Sequence, residues 1–325
     1  MTRLSDSFQR PVNYLRISVT DRCNLRCIYC MPSEGIPLMS HQDILSYEEI
    51  CIVAQAAAEL GIVKVRLTGG EPLVRAEVTN LLAMLARIQG IDDISLTTNA
   101  VLLQHYAGEL KSAGLRRVNV SLDSLRNDRF HRITRMGNLD DVLRGIEAAR
   151  QAGLNPVKTN TVVMRGTNDD EVLDFARLTI EGEWHVRFIE YMPFSKGEKA
   201  DHLLVPVSEI KQCIETLGEL EPSLSSGGGP ARYFRLPGAR GTIGFISPVS
   251  EHFCRACNRL RLTADGKLRP CLFSDTEIDL REPLRRGATA DDIKRLIQEA
   301  ASCKPEGHKL GAGITCERFM VQIGG

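Results

Sequence analysis

The sequence has no net charge and no long apolar run, and both absences limit what the protein can do. Its 325 residues contain 41 Lys and Arg against 41 Asp and Glu, and the pI is near 7.0. A chain with this balance has no overall electrostatic attraction to nucleic acid or to an anionic membrane surface. No apolar run of about 18 residues occurs, and the first ten residues are mostly polar. We therefore expect a cytoplasmic protein that binds neither nucleic acid nor membrane.

The sequence also lacks a phosphate-binding loop of the form G-x4-G-K-S/T, which argues against a generic GTPase. Self-similarity at a period of roughly 20 to 50 residues, the mark of repeat proteins, is absent as well. With 43% hydrophobic and 25% charged residues, the composition is that of an ordinary globular protein that can bury a sizeable core.

The cysteines are unevenly distributed. Six of the ten fall into two tight triplets, and the other four, Cys51, Cys213, Cys303 and Cys316, are scattered. Clustered cysteines in a large chain that shows no secretory leader favour metal binding over disulfides.

The first triplet, Cys23, Cys27 and Cys30, has the spacing C-x3-C-x2-C and follows an apolar run at residues 14–19. So short a loop can place three thiolates on one 4Fe-4S cube, because each iron takes one soft sulfur ligand. The fourth iron is then open to a small chelating molecule, which is typical of a catalytic cluster. Structural zinc is the alternative, but zinc usually takes four ligands, and no further cysteine or histidine occurs before His41.

The second triplet, Cys254, Cys257 and Cys271, again has no obvious fourth cysteine. It would also leave one iron of a cube open, although His252 lies close by and could complete a zinc site.

Basic residues surround the second triplet in a chain that is otherwise neutral. On a strand, Arg259 and Arg261 point to one face, where their guanidinium groups suit phosphate oxygens. We expect an anionic ligand there, with a solvated hairpin as the plain alternative. The basic residues are Arg255, Arg259, Arg261, Lys267 and Arg269.

Short apolar strands alternate with amphipathic helices along the first part of the chain. The predicted strands are at residues 14–19, 63–67, 93–97, 117–121, 157–163 and 185–190. The predicted helices are at residues 46–60, 76–88, 102–113, 140–152 and 169–180. Strict alternation requires a parallel sheet with right-handed crossovers, and six units are too few to close the usual eight-stranded barrel. The predicted fold is α/β, a partial, open (βα)6 barrel of the TIM type with a C-terminal α+β extension.

The alternation stops after Pro193, and a Gly-Gly-Gly-Pro stretch at residues 227–230 indicates a flexible connection. We predict a barrel at residues 1–220 and a C-terminal region at residues 231–325. The C-terminal region is predicted to contain strands at residues 232–236 and 242–246, a hairpin that turns at Asp265-Gly266, and helices at residues 276–286 and 290–301.

In open parallel sheets the active site lies beyond the carboxyl ends of the strands. The loops at residues 23–30, 68–72, 97–100 and 121–124 are therefore expected to meet at one edge. The loop at residues 68–72 reads Thr-Gly-Gly-Glu-Pro, and its paired glycines let the backbone come close to a ligand.

The first triplet, with Tyr29 before its last cysteine and the Gly-Gly-Glu-Pro segment downstream, resembles the radical S-adenosylmethionine (radical SAM) superfamily. The resemblance implies that SAM chelates the open iron through its amino and carboxylate groups. It also implies that the electron of the cluster cleaves SAM to methionine and a 5′-deoxyadenosyl radical. Glu71 and the backbone beside it are then expected to pair with the SAM ammonium group.

The two triplets, the strand at residues 258–263 and the terminal Gly324-Gly325 together resemble the GTP 3′,8-cyclase family along nearly the whole chain. The resemblance implies a second 4Fe-4S cluster, on the second triplet, whose open iron holds the guanine of GTP. The residues that it implies for GTP are Arg16, Arg66, Thr97, Lys158, Arg259, Leu260 and Arg261. Those that it implies for SAM are Tyr29, Gly70, Ser121 and Met192.

The reaction implied by this resemblance is that of a lyase in the first step of molybdenum cofactor (molybdopterin) biosynthesis. The 3′ hydrogen of the GTP ribose is removed, C3′ joins C8 of guanine, and the product is (8S)-3′,8-cyclo-7,8-dihydroguanosine 5′-triphosphate. The implied partners are a cyclic pyranopterin monophosphate synthase that acts on the product and an electron donor, and a homodimer is compatible with the resemblance. The terminal glycines are expected to reach the active site. One departure from related enzymes is Ala100, where glycine is common, and it bears only on the local turn.

Two alternatives remain. A radical SAM peptide or sulfatase maturase would share the first triplet and an auxiliary cluster, but such enzymes usually carry more C-terminal cysteines and have no need of the arginine strand. A zinc-stabilised binding protein without catalysis would explain the cysteines alone.

Overall fold

One twelve-stranded sheet runs through the part of the protein that a computed structural model describes, residues 4–193, 200–223, 229–308 and 317–324. The strands are β1 (Tyr14–Ser18), β2 (Lys64–Thr68), β3 (Asp93–Thr98), β4 (Arg117–Ser121), β5 (Lys158–Val163), β6 (His185–Glu190), β7 (Glu221–Pro222), β8 (Arg232–Arg235), β9 (Thr242–Ile246), β10 (Arg259–Leu262), β11 (Lys267–Arg269) and β12 (Ile278–Asp279). Their order is β12-β11-β10-β1-β2-β3-β4-β5-β6-β9-β8-β7. The six predicted strands lie side by side and parallel, and β12 and β7 form the two edges of the described sheet. The predicted open α/β barrel is confirmed.

The C-terminal strands extend this sheet at both sides. β10 pairs with β1 in parallel, so that Arg259 lies opposite Tyr14 and Arg261 opposite Arg16. On the other side β9 pairs with β6, also in parallel. Pairing with β1 places the second triplet beside the loop that carries the first. The division into residues 1–220 and 231–325 remains a proposal.

The helices connect the strands. They are α1 (Tyr47–Glu59), α2 (Val78–Leu85), α3 (Leu103–Ser112), α4 (Asn127–Thr134), α5 (Leu139–Gln151), α6 (Val172–Glu181), α7 (Val207–Ile214), α8 (Arg281–Arg285), α9 (Ala290–Ser302) and α10 (Met320–Ile323). A capping box begins α1, since Glu49 N donates to Ser46 Oγ over 3.1 Å and Ser46 N donates to Glu49 Oε2 over 2.7 Å. In the described ranges, no helix combines the length and the apolar composition that a membrane crossing needs.

One predicted helix is wrong. Residues 276–286 do not form a continuous helix, because Ile278 and Asp279 pair with β11 as the short strand β12. The Asp279 carboxylate then accepts hydrogen bonds from the backbone N–H groups of Arg281 and Glu282, so that α8 starts only after the strand. Three further helices, α4, α7 and α10, were not predicted at all.

Candidate active site

The carboxyl ends of the central strands open into a cavity of ≈ 1080 Å³, called the first cavity below. Its wall contains all three cysteines of the first triplet and parts of each of the four loops that were expected to meet there. The residues that the resemblance implied for SAM also line it. These are Tyr29, Gly70, Ser121 and Met192.

The end of α4 holds the first cysteine loop in place. Arg26 N donates to Thr134 O and Ile28 N donates to Ile133 O, each over 3.0 Å. Arg135, which ends the helix with a φ of 64°, donates from Nη1 to Arg26 O over 2.9 Å. The position of the loop therefore depends on a helix that sequence reasoning missed.

Burial raises the pKa of every thiol in the first triplet. The pKa of Cys23 rises to about 11 and that of Cys30 to about 12, and that of Cys27 rises well above its ordinary value. The negative charges of Glu71 and Asp123 add to the effect of burial. Free thiols in these places stay protonated at neutral pH, so a bound metal is needed to make the thiolates.

Tyr29 and Asp123 form a hydrogen-bonded pair in the wall of the first cavity. Tyr29 Oη donates to Asp123 Oδ2 over 2.6 Å, and Val162 N donates to Asp123 Oδ1 over 2.8 Å. Burial raises the pKa of Asp123 to about 6 in spite of these two donors. The hydroxyl hydrogen of Tyr29 is thereby engaged within the protein.

The loop after β2 packs closely against the main chain of the first cysteine loop. A Cβ atom at Gly70 would lie 2.2 Å from the carbonyl oxygen of Arg22, so no other residue fits without moving the main chain. Next to it, the Glu71 carboxylate accepts hydrogen bonds from Thr98 Oγ1 and Asn99 N, each over 2.7 Å. Burial raises the pKa of Glu71 to about 7. Glu71 thus joins the β2 loop to the β3 loop.

The same β3 loop contains Ala100, the position where related enzymes often have glycine. Ala100 has a φ of 63°, a left-handed conformation that glycine adopts more easily than alanine. Its N–H donates to Thr98 Oγ1 over 3.0 Å, so the turn forms with alanine as well.

A second cavity, of ≈ 1050 Å³, lies next to the first. All three cysteines of the second triplet line it, and so do five of the residues that the resemblance implied for GTP. These five are Arg16, Arg66, Thr97, Arg259 and Arg261. The two cavities share Thr97, Asn160, Ile189 and Met192 as lining residues. The two cysteine triplets thus face two neighbouring spaces with a common wall.

Two other residues implied for GTP are not among the residues that line the second cavity. Lys158 lies at the start of β5 and donates from Nζ to Tyr233 Oη over 3.2 Å. Leu260 is fully buried in the hydrophobic core, because its side chain points to the opposite side of β10 from Arg259 and Arg261. The Leu260 side chain therefore does not face the second cavity.

Cations surround the second triplet. Burial raises the pKa of the Cys257 thiol, but the charges of Arg259 and Lys304 and hydrogen bonds from Arg259 outweigh burial and bring the pKa down to about 6. Burial and the neighbouring charge of Arg259 lower the pKa of Arg261 to about 10. The environment therefore favours a thiolate at Cys257, in contrast to the first triplet.

The C-terminal segment enters the space between the arginines. Arg16 Nη2 and Arg261 Nη1 both donate to Gly324 O, over 3.1 and 3.0 Å. Gly324 has a φ of 73°, and a Cβ atom there would lie 2.6 Å from Thr68 Cγ2. Gly324 therefore lies where the resemblance led us to expect it, and Gly325 lies outside the described residues.

Sequence reasoning missed several polar residues of the second cavity, among them Arg187 and Tyr14. Arg187 is buried, lines the cavity and donates to Asn119 Oδ1. The Tyr14 hydroxyl is buried and has no hydrogen-bond partner among the described residues. Arg187 had a signal in the sequence, because it is the third residue of β6, as Arg16 is of β1 and Arg66 of β2.

His252, which could complete a zinc site, lies against another histidine, with His252 Nδ1 3.1 Å from His308 Nε2. Among residues 4–193, 200–223, 229–308 and 317–324, no three His, Cys, Asp or Glu side chains converge closely enough to hold one metal ion. A four-iron cube binds its ligands at separate corners, so its cysteines need not converge on one point.

Family models match most of the chain. Residues 17–179 match the model described as "Radical SAM superfamily", and residues 184–310 match "Molybdenum Cofactor Synthesis C". The GTP 3′,8-cyclase of Moorella thermoacetica is 54% identical over 324 residues, which cover 99% of this chain and 100% of that protein. The GTP 3′,8-cyclase of Pelotomaculum thermopropionicum is 55% identical over 325 residues, with coverage of 99% and 100%.

Solved structures share the fold at low identity. Streptococcus suis SuiB bound to S-adenosylmethionine has a TM-score of 0.58 and 14% identity, covering 96% of this chain and 75% of that chain. Native anSMEcpe with bound AdoMet and a Cp18Cys peptide has the same TM-score and identity, covering 95% and 85%. At this identity, these similarities support the fold.

Proposed function

The chain belongs to the GTP 3′,8-cyclase family of the radical SAM superfamily, and from this membership we propose that it converts GTP to (8S)-3′,8-cyclo-7,8-dihydroguanosine 5′-triphosphate. That reaction is the first step of molybdenum cofactor biosynthesis. The observation that carries the proposal is the common wall of the two cavities, formed by Thr97, Asn160, Ile189 and Met192. A radical that forms beside the first triplet can reach a substrate beside the second without crossing bulk solvent.

The first triplet suits the 4Fe-4S cluster and the SAM that the superfamily implies. Its three partly buried thiols line one cavity, and thiolate is the soft ligand that iron-sulfur clusters take. Gly70 lets the β2 loop pack against the main chain of Arg22 in the first cysteine loop, so that both loops contribute to one cavity wall. The reduced cluster, when bound, supplies the electron that cleaves SAM to methionine and a 5′-deoxyadenosyl radical.

The second triplet is proposed to hold a second 4Fe-4S cluster, with GTP in the second cavity. Arg16, Arg66 and Arg261 offer guanidinium donors to the triphosphate, whose oxygens only accept. Tyr14 supports this assignment, because its buried hydroxyl has no hydrogen-bond partner among the described residues. A phosphate oxygen in the cavity could accept a hydrogen bond from it. In the proposed complex Lys158, Thr97 and the Leu260 backbone also contact GTP.

The protein residues do little bond chemistry in this proposal. The arginines hold GTP so that its ribose C3′ points to the first cavity, and the buried walls keep water and other hydrogen donors away from the radical. Gly324 O accepts hydrogen bonds from both Arg16 and Arg261 and so fixes two like charges side by side. Once the C3′ hydrogen has passed to the 5′-deoxyadenosyl radical, C3′ bonds to C8 of the same molecule, an intramolecular reaction that orientation favours strongly. One electron from the external donor and one proton from water then complete the product.

The proposal includes two partners. A cyclic pyranopterin monophosphate synthase takes the product, and an external electron donor reduces the first cluster. Both partners are consistent with a cytoplasmic enzyme.

The maturase alternative is less well supported. The structures named SuiB and anSMEcpe share the fold at 14% identity, whereas relatives that are more than 50% identical along their whole length are named GTP 3′,8-cyclase. A zinc-stabilised binding protein without catalysis is also less well supported, because these full-length relatives are named as enzymes.

The test is anaerobic incubation of the iron-reconstituted protein with dithionite, SAM and each of GTP, ATP and a peptide. We expect 5′-deoxyadenosine to form with GTP, together with a product of the same mass as GTP. Formation of 5′-deoxyadenosine with the peptide while GTP stays intact would move the maturase alternative ahead. Zinc without iron or acid-labile sulfide would favour the binding protein.

A further inference from the structure

Lys304 follows α9 and brings its ammonium group to the second triplet. The residue is 3% exposed. Its Nζ donates to Cys257 Sγ over 3.6 Å, to Arg259 O over 2.9 Å and to Pro270 O over 3.0 Å. An ammonium group has three hydrogens, and these three acceptors can use all of them. The Lys304 ammonium group is therefore bound by the protein itself, and we do not assign it to substrate binding.

The acceptors of Lys304 lie on both arms of the cysteine hairpin. Cys257 and Arg259 are at the start of β10, and Pro270 directly precedes Cys271 at the end of β11. One buried ammonium group thus ties the two cysteine-bearing ends of the hairpin together. A change in its position would move Cys257 relative to Cys271.

Arg10 fixes the segment around Lys304 from the other side. Arg10 Nη1 donates to Cys254 O and to Glu306 O, each over 2.8 Å, and Nη2 donates to Pro305 O over 2.6 Å. Arg10 in turn forms a buried ion pair with Asp6. The chain just after Lys304 is therefore anchored to Cys254, so the position of the ammonium group is built into the fold.

Cys23 of the first triplet and Cys257 of the second differ in the charge of the groups that contact their sulfur atoms. Cys23 Sγ accepts from the uncharged donors Leu25 N over 3.4 Å and Asn99 Nδ2 over 3.8 Å. Cys257 Sγ accepts from two cations, Lys304 Nζ over 3.6 Å and Arg259 Nη2 over 3.8 Å. Reduction adds a negative charge to a cluster, and a nearby buried cation stabilises that charge.

We propose that Lys304 is a positioning residue for the second triplet, which ties Cys257 to the strand before Cys271 and raises the reduction potential of the cluster that these cysteines hold. The inference rests on the second cluster of the proposed function. Hydrogen bonds to sulfur and net charge are two of the properties by which a protein sets such potentials, and Lys304 supplies both. The second cluster therefore takes up an electron more readily than it would with a neutral residue at position 304.

The test uses the full-length chain with Cys23, Cys27 and Cys30 replaced by Ala, so that only the second triplet can hold a cluster. Lys304→Met, Lys304→Gln and Lys304→Arg are added to this chain one at a time. Lys294→Met is the matched control, because Lys294 lies on α9 and pairs with Glu59 and Asp291 near the surface. Iron content, circular dichroism and an anaerobic redox titration followed by electron paramagnetic resonance are measured for each.

At a fixed potential, the ratio of reduced to oxidised cluster is expected to fall about tenfold or more in Lys304→Met and Lys304→Gln, a shift of about 59 mV for one electron. Lys304→Arg and Lys294→Met are expected to stay near the parent chain. Loss of the cluster from the two neutral variants, with retention in Lys304→Arg, also supports the role of the charge.

Three results would overturn the inference. One is an unchanged potential in neutral variants that contain a full cluster. Another is loss of the cluster in all three Lys304 variants, folded or not, which would make Lys304 an ordinary packing residue. If the parent chain itself binds no iron, the second cluster of the proposed function fails along with the inference, whereas the first two results leave the proposed function intact.

Discussion

Arg261 carries a positive charge inside the protein, where it is 6% exposed. It lies opposite Arg16 across the β1 and β10 pair, and Gly324 O accepts a hydrogen bond from each. Two like charges this close repel each other, and a neutral carbonyl only partly offsets the repulsion. An anionic ligand would neutralise both, which is why we assign this pair to the triphosphate.

Replacement of Arg261 by Ala is expected to raise the KM for GTP about 10- to 100-fold, since a charge-assisted hydrogen bond contributes about 1.5 to 3 kcal/mol. SAM cleavage without GTP turnover should remain measurable, because Arg261 does not line the first cavity. Steady-state kinetics with 5′-deoxyadenosine as a second readout test this.

The control for this prediction is Arg235→Ala at the exposed end of β8, which should behave as the unmodified protein. Loss of SAM cleavage in Arg261→Ala would contradict the assignment, because the residue would then act on the first cavity.

Sequence alone predicted the residues whose spacing is informative and missed those that depend on the sheet. The six cysteines and Arg259 and Arg261 stand in recognisable patterns. Tyr14 stands in no such pattern. It lines the second cavity together with Arg259, which lies opposite it on β10, a strand that is far away in the chain. Leu260 shows the opposite case, since alternation along β10 puts its side chain in the core.

The hairpin of β10 and β11 is the element that holds the second triplet, and it turns at Gly266. Gly266 has a φ of 80°, and a Cβ atom there would lie 2.7 Å from Arg281 Cβ and 3.0 Å from Leu45 Cδ2. Gly287 has nearly the same backbone, with a φ of 83°, but open space around it. Alanine substitution at Gly287 therefore adds backbone strain alone, whereas alanine at Gly266 adds backbone strain and a steric clash.

Gly287→Ala is expected to lower the free energy of unfolding by about 1 kcal/mol through strain alone. Gly266→Ala should lose about 1 to 3 kcal/mol more, because the added methyl group meets packed atoms. Urea titration of the reconstituted proteins measures both losses. Equal losses of unfolding free energy in the two variants would show that the hairpin can move away from α8. The turn would then do little to fix the position of Cys271.

At the level of elements, the sequence predicted the strands and helices with strong periodicity. It failed at residues 276–286, where pairing of Ile278 and Asp279 with β11 overrides a helical pattern. It missed α4, whose sequence, Asn127–Thr134, is mostly polar. That helix nevertheless supports the first cysteine loop, so a short polar segment matters more to the site than its sequence indicates.

At the scale of the whole molecule, the open sheet brings two distant parts of the chain to one place. The first triplet follows β1, and the second triplet adjoins β10, which pairs with β1 across more than two hundred residues of sequence. Sequence reasoning predicted the open barrel but not that C-terminal strands would extend it on both sides. Its local partner is β11, but its parallel pairing with β1 joins segments that are far apart in the chain, so only tertiary structure sets that neighbour.

We infer that the ribose of GTP lies between the two triplets, with C3′ facing the first cavity. GTP that carries deuterium at C3′ tests this placement, with GTP deuterated at C8 as the control. After anaerobic turnover with SAM, we expect one deuterium in the 5′-deoxyadenosine formed from the first substrate and none from the second. Unlabelled 5′-deoxyadenosine from both substrates, alongside consumption of GTP, would contradict it.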